Sequence, residues 1–128
     1  MKIKFILLCT ICFNFIACNN SMHLDKEKVD SIIIQKMEIN KIKESMGTRE
    51  IIDKKTISEI IDQFATFEEY PSKFIPLYLV VFKNKNKSIL TLLANGNYFK
   101  IIESKEKMRF IYFRLKEDFN IETYFNAI

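Results

Sequence analysis

The chain carries few side chains of the kinds that perform chemistry. Its one histidine is His23, and its three cysteines, Cys9, Cys12 and Cys18, all fall within the first 18 residues. A general base or a metal ligand must be held in fixed geometry, whereas His23 follows Asn19, Asn20 and Ser21 in a short polar stretch that reads as a tether. Serine- or cysteine-histidine catalysis and a zinc site of the usual ligands therefore lack their parts, and neither a metal nor a cofactor is expected. Gly47 and Gly96 stand alone, which removes the glycine-rich phosphate loop. Sixteen carboxylates remain, and a pair of them acting across a cleft, as in glycoside hydrolysis, stays open as an alternative. The adjacent pairs Glu68-Glu69 and Glu117-Asp118 fall at expected element ends, where solvation accounts for them. The absence of Trp argues further against a sugar-processing cleft. Lys83, Lys85 and Lys87 alternate in an expected loop. If that loop is extended, three ammonium groups share one side and form a candidate surface for phosphate-bearing lipid headgroups or an acidic envelope protein. The plainer reading is that they keep a hairpin tip solvated and blunt edge-to-edge association.

The beginning of the chain has a different character. Lys2 and Lys4 precede an apolar run from Phe5 to Ala17, which ends in Phe15-Ile16-Ala17-Cys18. The run is shorter than the about 20 residues a spanning helix needs, so it reads as an export signal. A conventional cut after Ala17 would place bulky Phe15 where a small residue belongs. Leu8 and Ile11, just before Cys9 and Cys12, are not small either. The four residues resemble the lipobox of bacterial lipoproteins, with Phe15 in the place more often held by Leu. The resemblance covers residues 1–18 only. It implies a signal peptide over 1–17, acyl chains on Cys18 and attachment to a membrane of the cell envelope. Asn19 after the cysteine points to the periplasmic face of the outer membrane. Two or three acyl chains hold a protein stably where one is marginal.

Cleavage there would leave 111 of the 128 residues and reduce the formal charge from +4 to +2, since Lys2 and Lys4 leave with the signal. Nucleic acid is not an expected partner, because its footprint is strongly basic and clustered. The one remaining sulfur would carry lipid, so the fold must rest on its core without a disulfide. Residues 18–28 are expected as lipidated cysteine and tether, and residues 29–128 as a single domain of ordinary size.

Elements follow from periodicity. Ile32-Ile33-Ile34, passing into the alternation of Met37 and Ile39 with polar neighbours, predicts a half-buried strand. A polar break over 43–47 and a short strand over 48–52 complete a hairpin. Ile57, Ile60, Ile61, Phe64 and Phe67 lie on one helical face, starting near Asp53 or the box-like Thr56-Ile57-Ser58-Glu59 and ending before Pro71. Strands are expected over 77–82, 89–93 and 98–102, with Asn95-Gly96 as the centre of a type I′ turn. Residues 108–115 fit either a helix or a strand, and strand is chosen on composition. Asn120 caps a short final helix with Ile121, Tyr124, Phe125 and Ile128 on one face. The expectation is α+β: a small antiparallel sheet of a hairpin and a three-strand meander, one main helix on one face, and a short C-terminal helix. Fold class does not fix function. A non-catalytic binding or accessory lipoprotein, of which an immunity or inhibitor protein would be a narrower case, suits the sparse chemistry best. Its docking surface is expected on whatever part of the sheet the helices leave uncovered.

Overall fold

The first strand, β1 (Ser31–Glu38), follows a 3-10 turn at Lys26–Lys28 whose cap is Asp25, with Asp25 Oδ1 accepting from the Glu27 amide at 3.0 Å. The computed structural model describes residues 24–38, 41–105 and 110–127. The expectations for Cys18, His23, Met108 and Ile128 lie outside the described residues. After β1 come β2 (Lys41–Ile51), α1 (Lys54–Phe64), β3 (Glu68–Glu69), β4 (Tyr78–Asn84), β5 (Lys87–Asn95), β6 (Tyr98–Ser104), β7 (Tyr112–Arg114) and α2 (Ile121–Asn126). The strands form one antiparallel sheet in the order β2-β1-β4-β5-β6-β7-β3. The architecture is mixed α+β and mainly sheet.

Alternation decides which side of the sheet is dry. Cross-strand partners share a face and neighbours along a strand do not. Ile32 lies beside Phe82, which lies beside Leu90; Ile34, Val80 and Leu92 form the next row, and Tyr78, Ala94, Phe99 and Phe113 form a third that reaches β7. Those residues are fully or almost fully buried. The helical stripe Ile57, Ile60, Ile61 and Phe64 joins the same cluster. Phe64 is its hub, with ring centroids 5.3 Å from Phe82, 5.3 Å from Phe99, 5.9 Å from Phe113 and 6.4 Å from Phe119. Each such side chain contributes about 1.5–3 kcal/mol by leaving water. Among the described residues no polar or charged side chain is buried.

α2 closes the sheet at the opposite end from the start of α1. Asn120 caps it by accepting from the Glu122 amide at 3.0 Å, and the Ile121 amide donates to the Gly96 carbonyl at 3.0 Å. Its last turn reaches β2, where Arg49 Nε donates to the Phe125 carbonyl at 3.0 Å. Gly47 has φ +129, and a Cβ there would stand 3.3 Å from Phe125 Cζ, so this position needs glycine for both backbone and space.

Several boundaries differ from the expectations. β2 begins at Lys41 rather than near Thr48, because pairing with β1 holds the polar segment in the ladder, with register shifts on either side of Met37. Of the two starts expected for α1, Asp53 is the cap: its Oδ2 accepts from the Thr56 amide at 3.1 Å and the Thr56 hydroxyl at 2.7 Å. The helix stops at Phe64, well before Pro71, since the Ala65 amide turns back onto the Asp62 and Gln63 carbonyls. Phe67 therefore lies beyond the helix and stacks on Phe110 at 4.7 Å. Leu24, expected in the tether, packs against the core. At Asn95-Gly96 the turn is displaced by one residue. Asn95 pairs with Tyr98, the central residues are Gly96 and Asn97, and only Gly96 has positive φ (+62). That is the pattern of a II′ turn. The double positive φ of a I′ turn occurs instead at Lys85 (φ 51) and Asn86 (φ 66).

Candidate functional site

Lys83, Lys85 and Lys87 lie at the β4–β5 tip, but not in the loop the sequence suggests. The strands pair up to Asn84↔Lys87, leaving a two-residue turn. Lys83 is opposite Ser88, and Lys87 is the next residue in its strand, so Lys83 and Lys87 occupy opposite faces of the ribbon. The expectation of three ammonium groups on one side is corrected accordingly: continued pairing, rather than an extended loop, sets their directions. The tip is fastened to the start of β1. The Lys85 amide donates to Asp30 Oδ2 at 2.8 Å, and the Asp30 amide donates to the Lys83 carbonyl at 3.0 Å. The only ion pairs among the described residues are Lys26–Asp62 and Arg114–Glu68, so these three lysines have none there.

The acidic pairs separate in role. Glu68 sits in the two-residue edge strand β3 and accepts from Arg114 Nε at 3.1 Å. That hydrogen bond raises the guanidinium above its ordinary value. Arg114 also lies over the Tyr70 ring, 4.5 Å from its centroid. Asp118 lines an open cavity of about 120 Å³ with Gln63, Phe119, Asn120, Thr123 and Tyr124. Small-molecule sites usually run from about 300 to 1,000 Å³. This cavity holds one carboxylate and no partner for a dyad. Beside it the Tyr124 phenol is pushed up by burial and by the Glu59 carboxylate, and the Tyr78 phenol by burial and by Glu122. Among the described residues no three His, Cys, Asp or Glu side chains gather as metal ligands, and no helix is long and apolar enough to cross a membrane.

The second face of the sheet is only partly covered. Ile33, Leu79, Val81, Thr91 and Leu93 are half-buried there, in rows that run Ile33↔Val81↔Thr91 and Leu79↔Leu93. The chain between β3 and β4 lays Tyr70 and Phe74 beside Tyr98, at 5.4 and 6.2 Å, and Phe74 also lies 6.3 Å from Tyr112. Lys100 Nζ stands 5.5 Å from the centroid of the Tyr112 ring. The C-terminal aromatics thus divide, with Phe99, Phe113 and Phe119 in the core and Tyr98 and Tyr112 on this second face. Sequence reading missed the Tyr70–Phe74 cover and the Asp30 link, since both join residues far apart in the chain. No protein-family model, no curated protein and no solved structure matches this chain.

Proposed function

We propose that the chain is a lipid-anchored lipoprotein of the cell envelope whose domain is a non-catalytic binding or accessory module. The observation that carries this reading is the segment Phe15-Ile16-Ala17-Cys18 behind two lysines and a short apolar run. The anchor is acylated Cys18, at the periplasmic face of the outer membrane. In this reading α1 covers one face of the sheet, and the meander from Tyr78 onward presents the other face to a partner. The ring contacts of Phe64 with three strands support the first part, and the half-buried rows Ile33–Val81–Thr91 and Leu79–Leu93 support the second. The dispersal of carboxylates, with Glu68 engaged by Arg114 and Asp118 alone in its cavity, supports binding over carboxylate-pair hydrolysis. The test is metabolic labelling with radioactive palmitate. Wild-type chain should take up label and fractionate with membranes, and Cys18→Ala should take up none and stay unprocessed or leave the membrane fraction. Labelling that survives in Cys18→Ala, or a processed variant that still fractionates with membranes, would overturn the assignment.

A further inference from the structure

We propose that the cavity between α1 and α2 takes the ammonium end of a primary alkylamine. The proposal rests on the reading of the domain as a binding module and is independent of the anchor at Cys18. Its basis is the set of side chains that line one small space. Gln63, in the last turn of α1, forms one side, and Asn120, Thr123 and Tyr124 of the α2 cap and helix form the other. Asp118 and Phe119 close it from the turn that precedes α2. Phe119 is buried, and the Tyr124 ring lies 5.5 Å from it at an interplanar angle of 30°. Those two rings supply an aromatic wall of the kind that attracts a cation. The Asp118 carboxylate, the Gln63 amide oxygen and the Thr123 hydroxyl supply acceptors. An ammonium group is a compact charge with three N–H donors on an apolar stem, so it answers both the acceptors and the rings.

The local field favours a cation. Glu59 lies one turn before Gln63 on the same face of α1, and, after burial, its carboxylate is what pushes the Tyr124 phenol up. The cavity also lies at the C-terminal end of α1, the negative pole of that helix. The opposite pole of α2 is already engaged. The Ile121 amide donates to the Gly96 carbonyl, the Glu122 amide to Asn120 Oδ1 and the Thr123 amide to the Asn120 carbonyl. Among the neighbouring charges, Lys26 is paired with Asp62, and Glu122 is drawn to the Tyr78 phenol. Lys116 and Glu117, just before Asp118, offset each other, and Lys55 lies one turn before Glu59. None of these lysines lines the cavity, and Asp118 has no ion pair among the described residues. A volume of about 120 Å³ is too small for a whole ligand of ordinary size, yet it holds an ammonium with a short alkyl stem. The ligand therefore enters by its amine end, and the rest of it stays outside.

The experiment titrates the full chain, isotope-labelled and held in a non-ionic maltoside detergent, with n-butylammonium chloride and follows amide resonances. Gln63, Asn120 and Thr123 should shift along one saturable curve, while Leu79 and Leu93 on the other face of the sheet should stay in place. The uncharged probe n-butanol should fail to reproduce the shifts at the same concentrations. A hydrogen bond to a charged group is worth roughly a factor of ten or more, so Asp118→Asn should weaken binding at least about tenfold at an unchanged melting temperature. Tyr124→Phe, which keeps the ring, should bind as the native chain does, and Tyr124→Leu should bind several-fold more weakly. Two sources carry the same group. A diaminobutane stands for a free diamine and an Nα-acetyl-lysine methylamide for a lysine side chain on a protein, and the tighter of the two identifies the source. Shifts that n-butanol matches, shifts that Asp118→Asn leaves unaltered, equal shifts on both faces of the sheet, or no shift at all would each overturn the site. Such a failure leaves the palmitate test of Cys18 and a partner on the second face untouched, so the two readings fail separately.

Discussion

Replacing Phe64 with Ala should remove more stability than any other single truncation on α1. Phe64 is fully buried, and four aromatic rings lie within 5.3 to 6.4 Å of its own. Phe→Ala in a packed core costs about 3–5 kcal/mol through lost transfer free energy and the cavity left behind. The upper part of that range applies here, because each facing ring also loses an aromatic contact and the strands beneath cannot collapse inward without breaking register. For a domain near 100 residues each kcal/mol moves the melting temperature by about 4–8 °C, so a loss of roughly 4 kcal/mol lowers it on the order of 15–30 °C. Urea titration followed by near-ultraviolet circular dichroism of the tyrosines measures the loss. Phe67→Ala is the control. It belongs to the same stripe in sequence but lies beyond the helix, half-buried, with closest rings Phe110 at 4.7 Å and Phe113 at 5.9 Å. Its loss should be about half as large. Equal losses for the two variants, or less than about 1.5 kcal/mol for Phe64→Ala, would refute the placement of Phe64 as the hub.

Three further outcomes test other parts of the structure. Gly96→Ala should cost about 1–2 kcal/mol from its φ of +62 alone, since nothing lies within 4 Å of a Cβ there, whereas Gly47→Ala should cost more because Phe125 must also move; thermal unfolding ranks the pair. The Thr56 hydroxyl and amide hold the Asp53 carboxyl below the ordinary aspartate value. Asp53 therefore contributes stability above that value and loses it as pH falls through the lower folded value, so Asp53→Asn should flatten the acid limb of a stability–pH profile. Burial and Glu122 raise the Tyr78 phenol, which favours the folded state below the ordinary tyrosine value and is lost as pH rises through the higher folded value. In an absorbance titration Tyr78→Phe should delete a late-ionising component, and an unchanged titration curve would place Tyr78 in water.

β1 was legible from its β-branched run passing into alternation, β4 and β5 from near-continuous apolar runs of strand length, and the stripe Ile57–Phe64 from a helical period that buries one side. The Asn120 cap was legible because a cap is satisfied within its own turn. Polar Lys41–Ser45 carries no apolar period and becomes strand only because β1 offers it partners. The two-residue strand β3 exists only because Arg114 and Phe113 lie opposite Glu68 and Glu69. The turn geometries were exchanged for the same reason. Asn-Gly is the stronger local signal, yet strand register admits two positive φ angles at Lys85-Asn86 and one at Gly96.

The expected lipid anchor is wholly a matter of sequence, because a processing signal is read as a linear motif and needs no fold. The grouping of charged residues on the folded domain is not. Lys54, Lys83 and Lys105 are scattered along the chain, and the hydrogen bond that ties the tip to β1 joins residues 55 positions apart. In an antiparallel sheet every second strand end returns to the same edge. Composition alone shows a nearly neutral domain, and only the order β2-β1-β4-β5-β6 brings those lysines to one end of the sheet.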